Sequence, residues 1–332
     1  MKIGSIVFCT EQGLGLLARD FYENRILSDV AIIRHSTRTN HYEWYPDAPR
    51  VGGAGSSKEF VEKMDAVLFF ETPFYWELIP FCRERNIPTI LMTMYECTPY
   101  PLPYVPDYYL TPSALDAREF PDNSRFIRVP VDVPWRLRLQ AKTFVHNAGN
   151  GGLRGRNGTR ELLQAVKFIK SDMRLIVRAQ GSWVKNLAKD CGCDKDERVT
   201  IHGDSIPREQ LYEDGDVFVF PEKFNGLSLP LQEAFASGMV CMCGDRFPMN
   251  RWLPRAPLIP VHEMSELRLS RRFRPIDSAV FRPEDIAANI DEWYGRDIES
   301  LSRAGLQFAE RNSWQVLGPD YLRFLASCKS ST

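Results

Sequence analysis

Between Asp216 and Gly238 the chain reads DVFVFPEKFNGLSLPLQEAFASG, a run that gathers hydrogen-bonding groups around the start of one helix. A strand ending at Phe220 leads into a loop with Asn225 and Gly226, and a helix opens near Ser228 or Leu229 with Glu233 in its first turns. Exposed N–H groups at a helix start attract anions, and a glycine there lets a phosphate approach the backbone. Glu233 can accept hydrogen bonds from paired hydroxyls of a sugar. The plainer alternative makes Asn225 a cap and Glu233 a solvated acid.

Further upstream, NAGNGGLRGRNGTRELLQAV, from Asn147 to Val166, sets a glycine-rich loop between a strand and a helix. Its N–H groups, with Arg154 and Arg156, can clamp a diphosphate, because guanidinium forks match phosphate oxygens. Two solvated arginines on a flexible loop are the alternative. Near the N-terminus, EQGLGLLA supplies Gly13 and Gly15, a spacing that also fits G-x-G-x-x-[GA]. With Arg34 near the end of the next strand, it leaves open an NADP-dependent oxidoreductase, although four residues separate strand from glycine and the acidic ribose ligand is missing. TMYECTP places Tyr95 and Glu96 after a later strand, where Glu96 can act as an acceptor-side base, position a hydroxyl, or cap the proline-rich loop that follows. ETPFYWELIP puts Glu71, Tyr75 and Trp76 after another, where aromatic faces suit sugars, bases or plain helix packing. The C-x-C pairs Cys191/Cys193 and Cys241/Cys243 are too closely spaced for a structural zinc and read as buried reduced thiols, so no metal site is expected.

The elements that must position these groups alternate. KIGSIVF, DVAIIRH, DAVLFF, PTILMTMY and YYLTPS are continuous apolar runs separated by helical patterns, the mark of parallel strands covered on both faces. VPVDVPWRLRL, from Val129, has no clear period and reads as an interdomain linker. After it the pattern restarts with TFVHNAG, RLIVRAQ, RVTIHG, DVFVFPE and MVCMCG as strands, and with REQLYEDG as a short helix. Pro283 to Leu325 is helical, with an interruption at WYGRD. Two successive βαβ sets predict two Rossmann-like domains whose ligands bind at strand carboxyl ends.

The stretch PLQEAFASG resembles the donor-binding signature of retaining GT-B glycosyltransferases, the group 1 family, in which two glutamates stand eight positions apart across the loop and helix. Glu233 falls on the second and Asn225 on the first; Glu222, three residues earlier, is out of register. HGDSIPREQLYEDGDVFVFP resembles the family's stretch whose loop, here after Gly203, meets the nucleotide base, and RNSWQVLGPDYLRFL, from Arg311, resembles its closing helix. The resemblance implies an α/β GT-B fold with two Rossmann-like domains facing across a cleft: residues 1–133 on the acceptor side, 134–310 on the donor side, and 311–332 a helix packing back. It implies a retaining, metal-independent transferase moving a hexosyl or pentosyl group from a nucleoside diphosphate sugar, a co-substrate with no cofactor beside it, to an acceptor hydroxyl. Gly13, Gly15, Arg154, Arg156, Gly226, Leu227 and Ser228 would then serve the donor phosphates, Glu233 the ribose and Asn225 the donor sugar. Tyr95 and Glu96 stand where many members carry a catalytic His, and Asn157 stands at the family's phosphate-binding Lys, so the two arginines are placed by proximity. Those departures also allow a catalytically silent sugar-nucleotide-binding protein.

With 332 residues, 44% of them hydrophobic and 26% charged, the chain is long enough for two globular domains and excludes disorder. No apolar run approaches the roughly 20 residues of a membrane span, and the start MKIGSIVFCTEQG has no signal-peptide core, so a cytoplasmic protein is expected. The first 135 residues carry 13 basic and 18 acidic side chains, the remainder 29 and 25. An anionic co-substrate therefore suits the second half. A nucleic-acid acceptor is possible through Arg118, Arg125 and Arg128 but not favoured.

Overall fold

A computed structural model describes residues 1–253 and 257–328. The chain divides into two units: Met1–Pro130, Leu269–Arg274 and the stretch from Trp314 form unit 1, and Val131–Arg268 with Pro275–Ser313 form unit 2.

Unit 1 runs β1 (Ile3–Val7), α1 (Gly13–Glu23), β2 (Asp29–Ile33), β3 (Arg50–Val51), α2 (Ala54–Val61), β4 (Ala66–Phe70), α3 (Leu78–Arg83), β5 (Thr89–Met92), β6 (Tyr108–Thr111), α4 (Ala114–Glu119) and β7 (Ser124–Phe126). All seven strands are parallel, in the order β3-β2-β1-β4-β5-β6-β7. One face packs Ile6, Ala31, Val67, Phe69 and Leu91 against Val61, Leu78 and Ile79 of the helices. Tyr75 and Trp76 pack against this same cluster, which favours the packing role for both.

Unit 2 runs β8 (Thr143–Gly149), α5 (Thr159–Ala165), β9 (Arg174–Ala179), α6 (Trp183–Cys191), β10 (Val199–His202), β11 (Val217–Phe220), α7 (Leu229–Ala236), β12 (Val240–Gly244), α8 (Met249–Trp252), β13 (Leu258–Ile259), β14 (Glu263–Leu267), β15 (Ile276–Val280), α9 (Pro283–Trp293) and α10 (Glu299–Arg311). Its six-stranded parallel sheet has the order β10-β9-β8-β11-β12-β13. Phe144, Leu175, Val177, Val217, Val219, Val240 and Met242 point to one face, and Val145, Ile176, Phe218, Phe220, Cys241 and Cys243 to the other. With a period of two and both faces covered, apolar residues suit both sides of each strand, hence the long apolar runs. Cys241 and Cys243 share one face as that period requires, and all eight cysteines are free thiols.

Two features differ from the sequence reading. β14 and β15 form an antiparallel hairpin that no pattern announced, because β14 is almost wholly exposed and carries no apolar alternation. The six residues at its turn belong with unit 1: Tyr100 N–H donates to the Arg272 carbonyl at 2.8 Å, and Arg274 pairs with Glu119 at 2.8 Å. REQLYEDG, read as a short helix, is a single 3-10 turn at Arg208–Gln210.

The last helix, α11 (Trp314–Ser327), completes unit 1. Phe21 of α1 meets Phe70, Trp314 and Tyr321 edge-on at 5.0–5.2 Å, and the Tyr321 hydroxyl donates to the Arg128 carbonyl at 3.0 Å.

Gly13 and Gly15 lie not in an open loop but in the first turn of α1, and neither has a left-handed backbone. A Cβ on Gly15 would stand 2.1 Å from the Thr10 carbonyl oxygen, whereas one on Gly13 would meet nothing within 4 Å. Gly15→Ala is therefore expected to cost about 1–3 kcal/mol and Gly13→Ala to be neutral or stabilising. Urea denaturation of the two variants checks this; equal losses would contradict it.

Candidate functional site

In unit 2 the strand order changes direction between β8 and β11, so the loops leaving their carboxyl ends flank the position where parallel sheets bind ligands. Those loops are 150–158, with the glycines and Arg154 and Arg156, and 221–228, which leads into α7.

Several bonds tie the two loops together. His146, wholly buried in β8, contacts the Val219 carbonyl through Nδ1 and the Thr159 hydroxyl at the head of α5 through Nε2, both at 2.8 Å. Lys223 N–H donates to the Arg156 carbonyl at 2.7 Å, and its ammonium pairs with Glu161 at 2.7 Å. Asn157 donates to the Ala148 carbonyl at 2.9 Å, so the residue at the family's Lys position braces the loop. Gly158 has φ of 68°, and a Cβ there would fall 2.1 Å from the Pro221 oxygen. Only glycine permits both the left-handed turn and that approach.

Burial depresses the His146 pKa to about 4, so the ring is neutral at pH 7. Its folded pKa lies below the ordinary 6.5. Its contribution is therefore fully present above pH 6.5 and is lost as pH falls from 6.5 towards 4, by about 3 kcal/mol in all. His146→Gln should be less stable than the parent at pH 7.5, with the gap narrowing towards pH 4; a gap independent of pH would contradict the assignment.

The 221–228 loop is built on a buried acid. Glu222 is 3% exposed; its Oε1 accepts from Asn225 Nδ2 at 2.8 Å and its Oε2 lies 3.5 Å from Arg246 Nη2. Burial pushes the carboxyl above the usual carboxylate range, and the charges of Arg246 and Arg156 oppose that shift. Asn225 Oδ1 accepts the Leu227 N–H at 2.9 Å, so its amide is engaged on both sides in shaping the loop. The residue out of register in the sequence thus supplies a carboxylate directly beside Asn225. Nothing short of the folded loop could show it, since the spacing alone points elsewhere.

Ser228, at φ of 46°, precedes α7, and its hydroxyl is buried beside Glu222 without a partner in hydrogen-bond geometry. Leu231 and Gln232 N–H return to the Ser228 carbonyl, and Pro230 has no N–H. Gly226, Ser228 and Leu229 therefore supply the N–H groups that precede the helix's own ladder, fewer than a helix start ordinarily offers.

Glu233 is 5% exposed, not solvated. Its Oε1 accepts from Arg208 Nε at 2.9 Å and from Nη2, and its Oε2 accepts the Tyr212 hydroxyl at 2.8 Å. Burial and the Glu233 charge hold the Tyr212 pKa well up, so the phenol remains a donor. A carboxylate offers about four acceptor sites, and three are used. A ligand hydroxyl on Glu233 therefore competes with Arg208 and Tyr212 for the carboxylate. Arg208 and Tyr212 were not foreseen, because only the fold brings them to α7.

Arg156 is half-buried and Arg154 exposed, the latter at φ of 50°. In unit 1, Tyr95 and Glu96 follow β5, and Gly13 and Gly15 follow β1; these lie at carboxyl ends of their own sheet. Glu71, directly after β4, is held at φ of 61°. Among the described residues no three His, Cys, Asp or Glu side chains gather as a metal-binding group.

Residues 149–250 match the family described as Glycosyl transferases group 1. That stretch, less than half of the chain, is where the similarity to the family lies. It contains both loops, the arginines and Glu233, and ends before the hairpin. Among curated proteins none matches in sequence. Solved structures similar to the whole chain include a glycosyltransferase from Rickettsia africae ESF-5, at 11% identity and TM-score 0.66 over 98% of this chain and 99% of that one. HepE from Anabaena, in complex with UDP and glucose, aligns at 10% identity and TM-score 0.69 over 98% and 100%. Sucrose-phosphate synthase from Thermosynechococcus elongatus aligns at 13% and 0.66 over 98% and 100%. At such identities the likeness establishes the fold, and that fold is GT-B. No helix among the described residues is long and apolar enough to cross a membrane.

Proposed function

We propose that this chain transfers a glycosyl group from a nucleoside diphosphate sugar to an acceptor hydroxyl, with retention and without a metal, unit 2 holding the donor. The observation that carries the reading is the pairing of two loops at the β8/β11 turning point, one with Arg154 and Arg156 and the other leading to Glu233, inside the stretch similar to group 1 glycosyltransferases. The UDP and glucose bound by HepE are consistent with it.

Each group has a task. Arg154, Arg156 and the N–H groups of Gly226, Ser228 and Leu229 neutralise the diphosphate as it leaves, the largest electrostatic demand of such a transfer. Glu233 accepts one ribose hydroxyl. Glu222 and Asn225, bonded to each other, give the donor-sugar side the carboxylate that the family places at the Asn225 position. Tyr95 and Glu96 serve the acceptor.

Thermal unfolding against UDP, GDP, ADP, their sugars and NADP, each with and without EDTA, tests the reading. A true ligand at about 100 times its Kd adds roughly 2.7 kcal/mol of stability. A shift with one nucleoside diphosphate, unchanged by EDTA, is expected; a shift with NADP alone overturns it. Replacing Arg154 and Arg156 together by Ala is expected to weaken diphosphate binding at least tenfold, in line with about 1.5 kcal/mol or more per charged hydrogen bond. Calorimetry showing equal affinity would place the phosphates elsewhere.

A further inference from the structure

Unit 1 has a turning point of its own. Its strand order changes direction between β1 and β4, and the loops leaving the carboxyl ends of those strands, residues 8–12 and 71–77, flank the crevice where parallel sheets bind ligands. Phe8 and Phe74, one from each loop, meet edge to face at 4.6 Å, and Phe74 is 36% exposed. The loop after β2 folds onto the same place. Asn40 closes residues 35–40 into a turn, its Oδ1 accepting the His35 N–H at 2.9 Å and its Nδ2 donating to the His35 and Arg38 carbonyls at 3.0 Å, while the His35 ring meets Phe8 at 4.9 Å. His41 N–H then donates to the Cys9 carbonyl at 2.7 Å, which fixes His41 at the end of β1.

The His41 ring stacks on Trp44 at 4.8 Å and 11°. Its Nδ1 lies 2.8 Å from Glu43 Oε1, so Nδ1 carries the proton and the neutral ring keeps a lone pair on Nε2. That Nε2 faces Glu11 Oε1 across 3.8 Å, too far for a hydrogen bond. The gap is open to solvent, the Glu11 side chain being 61% exposed and that of His41 22%. Two acceptors side by side, neither able to donate to the other, suit a ligand that brings two protons. An anionic group would meet the carboxylates of Glu11 and Glu43, whereas neighbouring hydroxyls of a sugar bring one proton each and its C–H face packs on an aromatic ring.

We propose that His41 Nε2 and Glu11 Oε1 accept hydrogen bonds from two neighbouring hydroxyls of the acceptor, with Phe74 against its apolar face, and hence that the acceptor is a saccharide. Its part as acceptor rests on the glycosyl-transfer reading; the sugar site does not. Glu43 sets the tautomer of the His41 ring and Trp44 its plane, without touching the sugar.

The chain holds five histidines, so their ring signals can be followed one by one by NMR in full-length protein carrying labelled histidine, and His41→Gln identifies the His41 signal by its loss. The probes are the methyl pyranosides of glucose, galactose, mannose and N-acetylglucosamine, with glycerol phosphate as a hydroxyl-bearing anion. At least one pyranoside is expected to shift the His41 signal and to leave those of His202 and His262, exposed in unit 2, unmoved. No shift with any of the four, or a shift with glycerol phosphate alone, overturns the proposal. For the pyranoside that binds, monodeoxy analogues lacking either of two neighbouring hydroxyls should bind the parent about tenfold more weakly or worse, as should the intact pyranoside with Glu11→Ala. Glu11→Ala should also cease to respond to the loss of one of those hydroxyls, a change that a merely structural Glu11 would not produce. Equal pyranoside affinity in Glu11→Ala, at an unchanged urea midpoint, refutes the clamp. Nucleoside diphosphate binding, measured on the same protein, separates the two readings. If it is absent while His41 responds, the transferase reading fails and the sugar site stands; if it is present while His41 stays silent, the sugar site fails alone.

Discussion

Arg246→Met is expected to lower stability by about 3–5 kcal/mol, the usual cost of stripping a buried charge of its partner. Arg246 is 7% exposed and donates to the carbonyls of Glu222 at 2.9 Å, Asn225 at 3.1 Å and Phe247 at 3.2 Å, besides facing the Glu222 carboxyl. Met fills much of the volume of the aliphatic stem, so the loss reads the polar contacts and not a cavity. Chemical denaturation at pH 7 measures it. The double variant with Glu222→Gln should recover part of the loss, because a neutral amide needs no counter-charge. A loss of the same size in the Glu222→Gln background would mean that the carbonyl contacts carry it and the Glu222 charge does not. Because Arg246 ties both ends of the 221–225 segment, the same variant should also weaken donor binding.

Glu233→Ala carries the second large effect, on binding and stability together. One ligand hydroxyl on a buried carboxylate contributes about 1.5–3 kcal/mol, so nucleoside diphosphate affinity should fall about 10–100-fold. The truncation also leaves the Tyr212 hydroxyl without its acceptor and Arg208 without its carboxylate. Glu233→Gln separates the two consequences, since the amide oxygen can still take the Tyr212 proton while the charge is gone. Calorimetry on folded variants gives the answer, and unchanged affinity in Glu233→Ala would sink the ribose assignment.

The strands were readable for a simple reason. Val217 to Phe220 or Ala66 to Phe70 can be apolar at every position only where both faces are covered, and helices followed each run at the expected spacing. The 263–280 hairpin escaped because β14 faces solvent and the short, partly polar IDSAV of β15 shows no apolar period. In the site, the segment holding Asn225 to Glu233 could be singled out because a strand, a glycine and a helix start are local events. The partners that decide what those groups can do are not local. Arg208 and Tyr212 reach Glu233 from a loop two elements earlier, and Arg246 reaches Glu222 from beyond β12. Glu222 itself was visible but out of register, and only the folded loop brings its carboxyl back onto Asn225.

The assembly of unit 1 from three separated stretches has a consequence for synthesis. A nascent chain emerging from the ribosome delivers α1 and the first sheet early, yet the side chains that pack on Phe21, Trp314 and Tyr321, are translated only after all of unit 2. Until then that aromatic face stays uncovered in an otherwise formed half-molecule, and closing so long a loop is slow. The window before α11 docks is the interval in which this protein is most exposed to aggregation, and the one a holdase chaperone would need to cover.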